Sequence, residues 1–354
     1  MQKRIDPLLE KMSGKGIDAF IVSDLHVIRW MTGFSGSSAR VLLTPQRSLL
    51  FTDFRYAEQV KHEVQGMESV IIQSGFGDAF VEHGYLKGKN VAIQEEQVTI
   101  HEARQLGEKL KEVTVVPLYG FFDEFRAIKN EREVACLKQA AAISEQVLDQ
   151  IVPLISPDVT ESEIAAEISY RHKRLGAEKD SFAPIVASGP RSALPHARPG
   201  NERFRSGTLI VIDMGCIFKG YASDQTRTIA LGKVPEEARK IYQITKEAQQ
   251  LGIDSAKPGM GGRELDALVR SYIEKSGYGD FFGHGLGHGV GVEVHEKPRL
   301  GKSSDDLLHR HAVFTIEPGI YLPGRYGVRI EDTVVMEEHG VVPFQHFTKE
   351  LIEL

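Results

Sequence analysis

Two stretches a hundred residues apart carry one pattern: Leu209-Ile210-Val211-Ile212-Asp213-Met214-Gly215 and Val313-Phe314-Thr315-Ile316-Glu317-Pro318-Gly319. Each is an apolar, largely β-branched run that ends on an acid and a nearby glycine, as a buried strand running into a turn would. Each is followed by a second acid, in Asp224-Gln225-Thr226 and Glu331-Asp332-Thr333. The repeat extends upstream. Pro157 precedes Glu163-Ile164 and Gly176 at the same offsets at which Pro258 precedes Glu264-Leu265 and Gly277. In the first copy Thr160 and Glu163 have capping-box spacing, so each copy reads as a loop entering a helix that stops at glycine. Any one match has a respectable chance reading. Several in the same order predict a duplicated α+β unit about a pseudo-twofold axis.

An acid at the end of such a strand is costly to bury alone, because desolvating an unpaired charge costs several kcal/mol. A single one reads as an ordinary turn residue. Four in matched repeats would repel one another, and two divalent cations offering four positive charges would relieve both problems. Between the acid pairs lies Gly283-His284-Gly285-Leu286-Gly287-His288-Gly289-Val290-Gly291-Val292-Glu293-Val294-His295-Glu296. It reads either as a flexible loop with incidental imidazoles or as backbone brought close to a ligand through its glycines. One imidazole added to four carboxylates makes a hard, oxygen-rich donor set, which favours Mn²⁺, Fe²⁺ or Co²⁺ and leaves Zn²⁺ open.

Upstream, strand-like runs at 17–22, 40–43, 48–52, 69–73, 90–94 and 114–118 alternate with helical patterns at 56–64 and 101–110. They predict a smaller α/β domain with a mixed sheet at 1–124, followed by an α+β domain at 125–354 that opens on a long amphipathic helix at 130–151. Trp30-Met31-Thr32-Gly33-Phe34-Ser35-Gly36 and Thr52-Asp53-Phe54-Arg55-Tyr56 are expected to be loops at sheet edges.

A net charge of −6 argues against nucleic acid or an anionic membrane as the main partner. No apolar run approaches the ~20 residues of a membrane helix. The start, Met1-Gln2-Lys3-Arg4-Ile5-Asp6, turns acidic before a signal-peptide core, so a cytoplasmic protein is expected. Cys136 and Cys216 have neither zinc-site nor disulfide spacing and are expected to be buried thiols.

These motifs resemble the creatinase/methionine aminopeptidase family, the pita-bread metallopeptidases, and within it the Xaa-Pro peptidases (aminopeptidase P and Xaa-Pro dipeptidase, or prolidase). The resemblance runs through Ile212–Thr228, Gly287–Glu296, Ile316–Gly319 and Val328–Asp332, with the two N-terminal stretches above resembling the family's first domain. It implies a pita-bread catalytic domain and two metal ions per subunit, manganese first. The implied ligands are Asp213, Asp224, His288, Glu317 and Glu331, with Asp224 and Glu331 bridging. A hydroxide between the ions would attack the bond before a proline in short peptides. Glu317 would relay the proton and His295 would stabilise the tetrahedral intermediate. His196 and His284 would contact substrate, and Arg329 would pair with a carboxylate or the substrate terminus. On the residues alone, His196 and Arg329 read equally as structural groups. The resemblance also implies a homodimer. Departures are small: Gln225 and Cys216 stand where the family usually carries apolar or small residues. Rival expectations are a strict dipeptidase, a non-proline aminopeptidase of the same fold, and a non-catalytic binding module.

Overall fold

The computed structural model describes residues 2–84, 86 and 88–354. It divides into two compact units, Met1–Asp123 and Glu124–Leu354.

In the first unit the alternating apolar runs become β1 (Ala19–Val22), β2 (Ala39–Leu43), β3 (Ser48–Asp53), β4 (Glu68–Ile72), β5 (Asn90–Gln94) and β6 (Thr114–Leu118). They lie in the order β4-β3-β2-β1-β5-β6. β2 is antiparallel to β1 and β3, while β1–β5, β5–β6 and β3–β4 are parallel, so the sheet is mixed as expected. The inner strands bury both faces, and Ile21, Leu42, Phe51 and Val91 pack with Phe80 of the helix Phe76–Gly84. Burying such side chains contributes ~1.5–3 kcal/mol each.

One local expectation is met only in part here, and one fails. The helix foreseen at 56–64 is a 3₁₀ turn, Phe54–Tyr56, followed by a short helix, Gln59–Glu63. Trp30 and Met31 are not in a loop; they lie buried at the end of the helix Leu25–Thr32. Asp24 starts that helix by accepting from the His26 N–H, and Gly33 closes it at φ 83°, a left-handed position suited to glycine.

The second unit opens on the helix Glu131–Ile151, started by a reciprocal capping box between Asn130 and Glu133. Its strands are β7 (Lys179–Asp180), β8 (Ile185–Ser188), β9 (Thr208–Met214), β10 (Cys216–Phe218), β11 (Tyr221–Ala222), β12 (Gln225–Leu231), β13 (Gly287–Gly289), β14 (Glu296–Leu300), β15 (Val313–Ile316), β16 (Gly319–Leu322), β17 (Tyr326–Arg329), β18 (Asp332–Met336) and β19 (Val341–Pro343). The duplication is visible in their order. One sheet runs β12-β9-β8 and another β14-β13-β15-β18-β19, while the hairpins β10–β11 and β16–β17 stand at equivalent points of the two halves. Each half packs its sheet on a helix of the repeat. Ile164 and Ile168 of Glu161–Arg174 meet Ile210 and Ile212, whereas Leu265 and Val269 of Gly262–Lys275 meet Phe314 and Ile316.

The Thr160–Glu163 capping box forms, with the Glu163 N–H donating to Thr160 Oγ1 at 3.2 Å and the Thr160 N–H to Glu163 Oε2 at 2.7 Å. The second copy starts at Gly261 without a side-chain cap. Both cysteines are buried thiols. Gln225 is buried too, and neither atom of its amide has a partner among the described residues.

Candidate metal centre and substrate cavity

Side chains alternate across a strand, so acids near the ends of paired strands are held by backbone hydrogen bonds rather than by loops. Asp213 is on β9, opposite Thr226 of β12, and Asp224 lies just before β12. Glu317 follows β15, and Glu331 sits between β17 and β18. The two halves are joined side by side at these positions. Thr226 and Glu331 form an isolated β-bridge, the Glu331 N–H donates to the Thr226 carbonyl at 3.1 Å, and Thr226 Oγ1 donates to Glu331 Oε2 at 2.6 Å. Two residues on, Thr228 Oγ1 donates to the Arg329 carbonyl at 2.9 Å.

This junction brings all nine residues singled out from the sequence to the wall of one cavity of about 450 Å³. Ligating atoms of Asp224, His288 and Glu331 lie within 4.8 Å of one another. His288 Nε2 is 3.7 Å from Asp224 Oδ2 and 3.3 Å from Glu317 Oε1. His288 Nδ1 lies 3.2 Å from the Gly289 carbonyl, which can only accept, so Nδ1 carries the proton and Nε2 faces the acids with a lone pair in the neutral ring. Thr315 Oγ1 donates to Glu317 Oε1 at 3.0 Å.

Arg329 is buried and makes four hydrogen bonds through its guanidinium. It donates from Nη2 to Asp213 Oδ2 at 2.6 Å, from Nε to Thr226 Oγ1 at 3.1 Å, and from Nη1 to Tyr321 Oη at 2.9 Å and the Pro195 carbonyl at 3.2 Å. Of the two alternatives expected for it, the structure shows the carboxylate pairing. His284 donates from Nδ1 to the Gly285 carbonyl at 2.8 Å, which leaves Nε2 to accept from the Tyr321 hydroxyl at 2.9 Å. His295 is exposed on the cavity side and its ring lies 4.1 Å from that of His288. His196 is exposed on the segment between β8 and β9.

The buried acids crowd one another. Burial, then the charges of Glu331 and Asp213, push the Asp224 carboxyl well above its ordinary range. Burial, then Glu317 and Asp213, do the same to Glu331. Burial also raises Asp213, though Arg329 opposes it. For Glu317, burial acts upward but is outweighed by His288, which with His284 and Arg329 brings the carboxyl down to about 2. Desolvation on the cavity wall, then His288, lowers His295 to about 4. Asp213 Oδ1 is buried without a hydrogen-bond partner among the described residues. A buried carboxylate oxygen left bare beside other acids and an imidazole nitrogen is the donor set of a hard divalent cation. The residues fit such ions.

The glycines of 283–291 serve close approach rather than left-handed turns. None of them has positive φ. A Cβ at Gly287 would stand 2.1 Å from the Thr315 carbonyl, and one at Gly289 2.1 Å from that of Lys297, so both admit neighbouring strands, while Gly285 and Gly287 also line the cavity. Sequence reasoning gave no part to Tyr321, Thr226 or Thr315. Thr226 had a signal in the repeated acid-x-Thr, while Tyr321 stood in no pattern.

The model of metallopeptidase family M24 matches residues 135–338, and that of the creatinase/prolidase N-terminal domain matches residues 4–128. An Xaa-Pro dipeptidase of Pyrococcus horikoshii is 34% identical over 99% of both chains. A solved structure, an Xaa-Pro dipeptidase from Bacillus anthracis, superposes with a TM-score of 0.95 at 37% identity, covering 100% of this chain and 99% of the other. An X-Pro aminopeptidase from Thermotoga maritima superposes at 0.89 with 36% identity over 96% and 98%. With its two-domain pita-bread fold, the chain belongs to metallopeptidase family M24.

Proposed function

We propose that this metallopeptidase hydrolyses the bond between an N-terminal residue and a following proline in short peptides. The observation that carries the reading is the bare, buried Asp213 Oδ1 next to the ligand cluster of Asp224, His288 and Glu331. In this reading Asp213, Asp224, His288, Glu317 and Glu331 would hold two divalent ions, manganese first. When bound, such a pair supplies Lewis acidity and a hydroxide nucleophile at neutral pH.

The chain's own residues do the rest. Glu317 takes the proton of the nucleophile and passes it to the leaving nitrogen. His295 donates an N–H to the oxygen on which charge develops. His196 and His284 hold the substrate, and Arg329 fixes Asp213. The proline preference rests on the names of the relatives, and has a physical basis: an Xaa-Pro bond lacks the N–H that other peptidases engage. The same reading places a homodimer in the cytosol. It puts the domain boundary at residues 124 and 125, which the division of the chain after Asp123 supports.

The test is hydrolysis of Ala-Pro and Ala-Pro-Ala by Mn²⁺-loaded protein, with chelator, Ala-Ala and Met-Ala-Ser as controls. Cleavage of the dipeptide alone makes it a prolidase, and cleavage of the tripeptide an aminopeptidase P. Inactivity on both refutes the proline reading.

A further inference from the structure

Glu161 is fully buried at the first position of the helix Glu161–Arg174, yet it lies outside the cavity and binds nothing proposed above. A buried carboxylate persists only where its oxygens are satisfied. Here each oxygen takes two hydrogen bonds. Oε1 accepts from the Ser188 N–H at 2.8 Å and from Ser188 Oγ at 3.0 Å, while Oε2 accepts from Arg191 Nε at 2.9 Å and from the Gly200 N–H at 3.0 Å. Ser188 ends β8, and Gly200 lies twelve positions on. One carboxylate therefore ties both ends of a single segment, and that segment carries His196.

The neighbours of Glu161 reinforce the tie. Ser162 Oγ donates to the Gly200 carbonyl at 2.8 Å, and Arg191 also reaches the Arg198 carbonyl from Nη2. The middle of the segment is held from the other side, where the Gly327 N–H donates to Ser192 Oγ at 2.8 Å and Arg329 Nη1 reaches the Pro195 carbonyl. His196 projects from this frame into the cavity wall with an exposed side chain.

We propose that Glu161 is a positioning residue: by clamping Ser188 and Gly200 it sets the placement of His196 against the substrate. The inference rests on the proposed peptidase reading. Its logic is that the clamped segment contains none of the five metal-ligand candidates. Loosening it displaces His196 while the carboxylate cluster, built on β9, β12 and β15–β18, stays in place. Misplacement of about 1 Å can cost about a hundredfold in rate. A general structural role would instead disturb metal binding and substrate handling together.

The experiment compares Glu161→Gln, His196→Ala and the double variant in the full-length protein on the Xaa-Pro substrate found to be cleaved, with Mn²⁺ affinity read separately from the Mn²⁺-induced shift in Tm. The expected result is a fall of about tenfold to a hundredfold in kcat/KM for Glu161→Gln. The loss should appear in the same constant, kcat or KM, that His196→Ala changes. The double variant should be no worse than the poorer single one within about twofold, and Mn²⁺ affinity should be unchanged. Multiplying losses, unchanged kinetics or weakened Mn²⁺ binding would overturn the proposal. Should Glu161→Gln fail to fold, Ser162→Ala removes one hydroxyl from the same tie and is held to the same criteria at a smaller loss. A wild-type protein inactive on every Xaa-Pro substrate refutes the Xaa-Pro reading instead. The clamp is then tested by ¹H–¹⁵N NMR of the His196 ring, whose signal must shift or broaden in Glu161→Gln.

Discussion

Arg329 donates to one oxygen of Asp213 at 2.6 Å, while the other oxygen of the same carboxylate is buried and bare. The guanidinium and an ion thus have separate claims on one side chain. Arg329 also holds Thr226, Tyr321 and the Pro195 carbonyl, which a lysine cannot do from a single ammonium. Arg329→Ala leaves Asp213 buried and unpaired, and is expected to cost about 3–5 kcal/mol of folding stability in metal-free protein. Chemical denaturation in chelator measures it, and a loss below about 1 kcal/mol would contradict the pairing.

The crowding of Asp224, Glu331 and Asp213 predicts a crossing of stabilities. Without metal, Asp224→Asn removes one repelling charge, so the variant should melt at or above the wild type. In saturating Mn²⁺ the order should reverse, because ion binding at a hundred times Kd adds about 2.7 kcal/mol to the wild type alone. Melting curves with chelator and with Mn²⁺ decide it; parallel curves would remove Asp224 from the ligand set. Activity should vanish in the same variant.

For His295 the expectation is kinetic. His295→Ala should lower kcat by about 10²–10³ with metal content unchanged. A change confined to KM would reassign the residue to substrate binding.

Tyr321 joins His284 to Arg329 through its hydroxyl, and burial raises its pKa to about 12, so it remains a donor across the working range. Tyr321→Phe should cost about 1–3 kcal/mol of stability, since it leaves buried partners unsatisfied. It should also loosen His284, visible as a reduced kcat/KM. Wild-type values of both would show that the hydroxyl is idle.

Gln225 offers the opposite sign. Its amide is buried with neither atom paired, so the near-isosteric Gln225→Met should raise stability by about 1–2 kcal/mol and leave kcat intact. Thermal melting checks it, and a destabilised variant would mean that the amide has a bridging water.

What was legible in the chain was local or repeated. Asp213, Asp224, Glu317 and Glu331 were visible because each ends or begins a β-branched strand and because the pattern occurs twice. The helix Glu131–Ile151 and the Thr160–Glu163 box follow from spacing within one turn. What was hidden depends on distant partners. Arg329 meets Asp213 across 116 positions, and Glu161 finds Gly200 across 39. Tyr321 is an ordinary buried aromatic until Arg329 and His284 meet at its hydroxyl. The helix Leu25–Thr32 was missed because Trp30 and β-branched neighbours mask its period, whereas its Asp24 cap and Gly33 stop were the usable signal.

The bridge between Thr226 and Glu331 also sets an order of events during synthesis. These residues are 105 positions apart, so at about 5–20 residues per second the first hairpin waits about 5–20 s on the ribosome for its counterpart. Until then Asp213 and Asp224 are two acids of an incomplete half, facing water. Any ion that needs both pairs of acids is taken up only after Glu331 has been made, so metal loading passes over chains that stop before it.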